Sequence, residues 1–348
     1  MGSILHMSQT INEGLKLACP WQRKTQRDKL SIAIAGFMDS LTANTMATAS
    51  ILPLNSNRTD MKYQWLSRLL ANRLIEVDKI MSPFAQQMMK SNPGNVVELI
   101  IDQTSINERH SILMVSVKCG QKALPVLWKV KKGLHGMGYE EQEALLSRVK
   151  QMIAEDKKVM LLGDRFYGTP ALIKLCKDWG WDYRLRLKKT YVLYEEDKTN
   201  RTKISRKRGK EHFIKNVQLS SAKVKTHIGI VRDKGYEDAW VIAMGKIPNR
   251  ERVMEYKKRW SIETLFSDFK SRGLGLEDTK LIYPDRVERL LLILSLAIYW
   301  SVKAGREDEN KSPLPYERKV IKSKYKRKRP LYREKKKLGQ SCRGLEGV

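Results

Sequence analysis

Apolar residues follow two different periods along this chain, and the change between them marks its organisation. From about Thr25 to Ser91 they recur at helical spacing, in Ala-rich and Leu-rich segments interrupted around Pro53 and Asn55, which predicts a helical region. The loop signal SNPGN at 91–95 sets a boundary near residue 92. Beyond it the runs shorten and become β-branched. VVELIID ends at Asp102, and ILMVSVKC and ALPVLWKV, separated by Gly120 and Gln121, read as a hairpin, so three strands form an antiparallel meander. GYEEQEALLSRVKQMIAED returns to helical spacing before VMLLGD, a strand ending at Asp164. Strand, helix, strand implies a right-handed crossover that sets the first and fourth strands side by side. TPALIKLCKDWG predicts a helix stopped by Gly180, WDYRLRLK a fifth strand, and YVLYEE, HFIKNVQL, THIGIVR and DAWVIAMG further strands. The segment 252–280 reads as one amphipathic helix starting after Pro248 and Asn249. LLLILSLAIYW at 290–300 is well short of the roughly 20 residues that cross a bilayer, so it is expected as a buried helix. The class is α/β: a mixed sheet flanked by helices, with helical residues 1–92, an α/β region 93–300 carrying a β-rich insertion at 190–247, and a tail from 301 to 348.

Chemistry collects on the 252–280 segment and on two strand ends. At about 100° per residue Tyr256, Arg259, Glu263 and Lys270 fall within roughly 60° of one another, a polar stripe distinct from the apolar arc of Met254, Ile262, Leu265, Phe266 and Phe269. By itself such a stripe is a solvated face with i,i+3 and i,i+4 ion pairs. Asp102 and Asp164 change that picture. An acid at the carboxyl end of a buried parallel strand is desolvated by its neighbours and needs a compensating charge. Ligand sites of open α/β sheets lie at these ends, and a divalent cation is the natural compensator. Asp102, Asp164 and Glu263 together offer hard oxygen ligands for Mg²⁺ or Mn²⁺, and two such ions suit phosphodiester chemistry.

Tyr256, two residues, Arg259, three residues, Glu263, six residues, Lys270 resembles the Y-R-E-K signature of the insertion-sequence-four family of cut-and-paste DDE transposases. Asp102 in IIDQT and Asp164 in GDRFYG match that family's first two catalytic acids. The resemblance spans roughly residues 96–300. It implies an RNase H-like, retroviral-integrase-like core with a β-rich insertion between the second Asp and the Glu, two bound ions, double-stranded DNA as partner at element ends and target, and a homodimer in the DNA complex. It also implies a DNA-end recognition domain in 1–92, where a small helical bundle with a solvated basic face is the plainer alternative. In this scheme Arg259 and Lys270 neutralise phosphate oxygens, and Tyr256 donates a hydrogen bond to a phosphate near the element end. A covalent role for Tyr256 would leave the strand-end acids without purpose. Trp260 either stacks on an unpaired base or belongs to the core.

Charge agrees with a polyanion partner. Lys and Arg number 67 against 38 Asp and Glu, a formal +29, which nucleic acid uses through counterion release. A membrane surface is the rival, but no polybasic amphipathic helix is paired with a lipid anchor. The segment 198–210 holds seven bases and no acids, and the last 48 residues hold 16 bases and 6 acids, densest in KSKYKRKR at 322–329. Cys19, Cys119, Cys176 and Cys342 are scattered, with neither metal-ligand nor disulfide spacing, as in a reducing cytoplasm. The opening residues carry no long apolar stretch, so no secretory signal is expected. A cytoplasmic, nucleoid-associated DNA transposase is therefore expected. An RNase H-like nuclease without strand transfer and an inactive DNA-binding relative are the alternatives.

Overall fold

The computed structural model describes residues 2–91, 94–194, 201–203, 211–232, 238–270 and 272–311. Most of the basic segment 198–210, the basic run 322–329 and Cys342 lie outside the described residues. Cys19, Cys119 and Cys176 are buried thiols. Two compact units divide the chain: Met1–Asn72 with the segment from Leu290 onward, and Arg73–Arg289.

The first unit is helical. α1 (Gly2–Ala18) packs against α2 (Lys24–Ser40), and Asn12 Nδ2 donates to Asp28 Oδ1 at 2.6 Å across them. α1 shows no clear apolar period in the sequence, because Ile4, Ile11 and Leu15 are thinly spaced among polar residues, yet all three are buried. α3 (Thr45–Ile51) starts where the Asn44 side chain accepts the Met46 and Ala47 N–H groups, satisfying two of the donors a helix start leaves open. α4 (Thr59–Ala71) follows. Lys62 is buried and donates to the Ser50 carbonyl, while Arg58, just before the helix, pairs with Asp60 at the surface. The LLLILSLAIYW run lies in α10 (Pro284–Lys311) and is buried from Leu290 to Leu294, as its unbroken apolar character requires.

The second unit is a mixed α/β structure built on one ten-stranded sheet. α5 (Val77–Lys90) lies on the hairpin of β2 (His110–Cys119) and β3 (Lys122–Lys132), with Gly120 at φ 64° supplying the tight turn. β1 (Val96–Ile106) runs antiparallel to β2 and parallel to β4 (Lys158–Gly163), the crossover passing through α6 (Tyr139–Lys150). α7 (Pro170–Asp178), capped by Thr169, leads to β5 (Asp182–Arg186), parallel to β4. The remaining strands are β6 (Val192–Tyr194), β7 (Arg201–Lys203), β8 (Glu211–Leu219), β9 (Val224–Val231) and β10 (Trp240–Met244). They extend the same sheet in the order β3-β2-β1-β4-β5-β10-β9-β8-β6-β7.

The expected single helix over 252–280 is corrected by the structure. α8 (Arg250–Met254), capped by Asn249, passes into a 3₁₀ segment (Glu255–Trp260) and then α9 (Ser261–Phe269). The chain leaves helical geometry at Lys270, and Leu274 N–H and Gly275 N–H return to the Asp268 and Lys270 carbonyls, a closure that the glycines of RGLG permit.

α9 also carries a half-buried acid with a testable cost. Asp268 Oδ1 has no hydrogen-bond partner, and burial raises its pKa to about 6 despite Lys122 and Arg272. A carboxyl raised above its unfolded value near 3.9 loses stability as pH rises from about 4 through about 6. Asp268→Asn is therefore expected to stabilise the protein by about 1–2 kcal/mol at pH 7.5 and by nothing at pH 4, read by urea denaturation. An equal gain at both pH values would contradict the titration.

Candidate active site

Sheet register brings the two aspartates together. The parallel ladder between β1 and β4 ends at Ile101 opposite Gly163, and the next residue on each strand is Asp102 and Asp164. Asp102 does not end its strand, as the sequence pattern had it. β1 continues to Ile106 against β2, with Asp102 opposite Met114, and it is β4 that stops. Asp102 accepts the Gln103 N–H at 2.8 Å and Arg259 Nη1 at 2.9 Å. Asp164 opens a tight turn: its Oδ1 accepts the Phe166 N–H at 2.8 Å, and its carbonyl accepts Tyr167 N–H and Gly168 N–H, each at 3.1 Å. Close packing dictates the glycines on either side. A Cβ on Gly163 would sit 2.8 Å from Tyr167 Cβ, and one on Gly168 only 1.9 Å from the Arg186 carbonyl oxygen.

The covering segment contributes Arg259 and Glu263 through a change of helical period. A 3₁₀ turn repeats every three residues, so residues three apart share a face. Val253, Tyr256, Arg259, Ile262 and Leu265 form the buried face at that spacing. The 100° wheel therefore misplaces Tyr256 and Arg259, which face inward. Tyr256 is 1% exposed, in a cluster with Val231, Trp240, Ile242, Met244 and Val253, its ring edge-on to Trp240 at 5.7 Å. Trp260 packs against the same cluster, 5.5 Å from Trp240. Lys270 follows α9, where its ammonium pairs with Glu277 at 3.4 Å.

Arg184 anchors this segment to the sheet, a role not drawn from the sequence. It is 2% exposed on β5, and its Nε donates to Glu255 Oε2 at 2.8 Å and to the Arg252 carbonyl at 3.1 Å, while Nη1 donates to Asp182 at 2.9 Å. Its signal was available in WDYRLRLK, where a base interrupts an otherwise buried strand.

Electrostatically the site has an excess of acid around one buried base. Burial raises the Asp102 pKa to about 6; Arg259 and the Gln103 N–H oppose it, while Asp164 and Glu263 push further upward. Arg259, with its side chain 10% exposed, bridges Asp102 and Glu263, donating one Nη to each. The i,i+4 pair of Arg259 and Glu263 is the ion pairing expected of a charged stripe, here between a buried guanidinium and a carboxylate 56% exposed. Among the described residues no three His, Cys, Asp or Glu side chains are grouped to hold a metal ion. Asp102, Asp164 and Glu263 are carboxylates with hard oxygens whose charges act on Asp102, and the Arg259 guanidinium balances two of them. No helix among the described residues is long and apolar enough to cross a membrane.

No curated protein matches the chain. Among solved structures, Marinitoga piezophila Argonaute in complex with 5′ OH guide RNA and target DNA is similar at 12% identity, with a TM-score of 0.21, over 66% of this chain and 33% of that one. This chain thus spans about a third of that Argonaute's length, and the likeness is too slight to bear on fold or function. The family model of the transposase DDE domain matches residues 139–300, which contain Asp164, Tyr256, Arg259, Glu263 and Lys270, while Asp102 precedes them. That match supports a DDE transposase.

Proposed function

We propose that the protein is the transposase of an insertion sequence, of the insertion-sequence-four type with the Y-R-E-K signature, cleaving DNA at element ends and joining those ends to target DNA. The observation that carries this is the placement of Asp102 and Asp164 one residue beyond the last rung of the β1–β4 ladder, with Glu263 tied to Asp102 through Arg259. The strand order β3-β2-β1-β4-β5, with β1, β4 and β5 parallel, supports an RNase H-like core. Residues 1–92 are assigned to element-end binding and a homodimer to the DNA complex; the net charge of +29 supports DNA as partner and the nucleoid as location.

Asp102, Asp164 and Glu263 would hold two Mg²⁺ or Mn²⁺ ions. Such ions, when bound, activate the attacking oxygen and stabilise the leaving one. The chain's own groups do the positioning. The Gln103 N–H and the turn after Asp164 fix the two aspartates to the sheet, so they meet the phosphate without reorganising. Arg259, a planar fork of donors, can exchange a carboxylate for nonbridging phosphate oxygens, and Lys270 supplies a point charge on the same strand. Tyr256, buried beside Arg259, sets the inner wall of that grip.

The test uses the full chain with duplexes cut from the DNA that borders its gene, a supercoiled plasmid and Mg²⁺. Cleavage at the ends and covalent joining to the plasmid are expected. Cleavage without joining would assign a plain nuclease, and binding without either product an inactive relative.

A further inference from the structure

The turn that opens at Asp164 carries an aromatic ring that the fold leaves uncovered. Phe166 is 42% exposed, and its backbone N–H, not its side chain, makes the bond to Asp164 Oδ1. A small polar residue would close such a turn equally well. Single exposed apolar side chains are common and need no purpose. This one differs in how firmly it is placed. Its ring stands edge-on to the buried ring of Tyr167, with centroids 5.3 Å apart, and its outer end lies against the bare backbone of Gly136, where a Cβ would come within 3.0 Å of Phe166 Cζ. Gly136 is fixed in turn by Gln103, the residue after Asp102: Gln103 Nε2 donates to the His135 carbonyl at 3.2 Å, and Gln103 Oε1 accepts the Met137 N–H at 2.9 Å. The ring is thus held from both sides of the aspartate pair, by the turn after Asp164 and by a loop tied to the residue after Asp102.

The charges next to it suit a polyanion. Arg165, the preceding residue, and Lys189 are both exposed and share the single carboxylate of Asp238, Arg165 at 3.4 Å, which leaves one positive charge in excess. Cations that follow a phosphate backbone beside an aromatic face make up the sites that hold single-stranded nucleic acid, because every base has a π face and stacking tolerates any sequence. A base inside a duplex has both faces covered by its neighbours. A protein ring therefore reaches a base at an open duplex end or one turned out of the helix. Resting on the transposase proposal for DNA as the partner, we infer that Phe166 stacks on one unpaired nucleobase next to the phosphate held at Asp102 and Asp164, so that the site favours DNA ends whose last bases are open. The contact is apolar and needs no divalent cation. Phe166 binds the strand and takes no part in the bonds made or broken.

The test is equilibrium binding by the full chain, in chelator and below the melting temperature of every variant. Two labelled duplexes are cut from the DNA that borders its gene, one fully paired and one mismatched at its terminal base pairs, with 2-aminopurine at an unpaired position. The parent should prefer the open-ended duplex and quench the 2-aminopurine. In Phe166→Leu, which keeps an apolar side chain against Gly136 but has no π face, that preference should fall about 5–100-fold and the quenching disappear. Phe166→Trp should keep both. An undiminished preference in Phe166→Leu would overturn the inference, as would a parent that shows no preference. So would an equal loss on both duplexes, which marks a ring that only props the Gly136 loop. All three results leave the transposase proposal standing, since cutting and joining decide it. A parent chain that binds neither duplex would remove DNA as the partner and both proposals with it.

Discussion

Asp102→Asn is expected to lower metal-dependent strand cleavage by on the order of 10³-fold or more, about 4 kcal/mol of barrier, while duplex affinity at a fixed salt concentration stays near that of the parent. The size follows from position. Asp102 is the acid on which the charges of Asp164, Glu263 and Arg259 converge, so an amide there removes the charge that would bind a cation and leaves the other two acids on separate elements. Affinity should survive because nonspecific binding depends on many phosphate contacts, and one uncharged side chain 15% exposed makes few of them. Asp164→Asn and Glu263→Gln should behave alike. The assay is cleavage of labelled duplex ends in Mg²⁺ beside a salt-matched binding titration, and retained cleavage in any of the three purified variants would remove that residue from the catalytic set.

Arg259→Ala is expected to carry two separable losses. Deleting the guanidinium strands the Asp102 carboxylate in a buried setting, and breaking a buried pair in this way costs about 3–5 kcal/mol. The urea midpoint in chelator should fall accordingly, and added Mg²⁺ should restore part of it, since a cation can replace the missing charge. End joining should also fall at least about a hundredfold, because a misplacement of about 1 Å has that cost. Lys270→Ala separates the two effects. Its pair with Glu277 is at the surface, 22% and 48% exposed, and such pairs contribute about 0–1 kcal/mol, so this variant stays folded while joining is measured. If Lys270→Ala joins precut ends as well as the parent does, the grip on the element strand does not involve that ammonium.

Much of the site's frame was legible because a parallel ladder imposes its own arithmetic. Short β-branched runs gave β1 through β5 and the crossover that pairs β1 with β4, and that pairing alone makes Asp102 and Asp164 neighbours. Length and apolar continuity likewise located the buried start of α10. What failed was the assumption of one period. At three residues per turn Tyr256 and Arg259 point into the core, and at 3.6 they do not; nothing in EYKKRW announces which period holds, since sheet contacts such as that from Arg184 decide it.

The place of β10 in the sheet has a consequence for the order in which the molecule is assembled. This five-residue strand is made after β5 and β9 yet lies between them, so the β1–β5 and β6–β9 halves share their hydrogen bonding only once it has been inserted. Until then both halves present open edges, and closing the gap means pairing Ile242 with Arg186 across the intervening segment that carries β6–β9, a slow step in chain-entropy terms. Glu263 comes later still in the chain, after the 3₁₀ turn that rests on Trp240, Ile242 and Met244. A nascent chain thus holds its two aspartates early and its glutamate later, and the three proposed catalytic acids are complete only once the segment after β10 has docked.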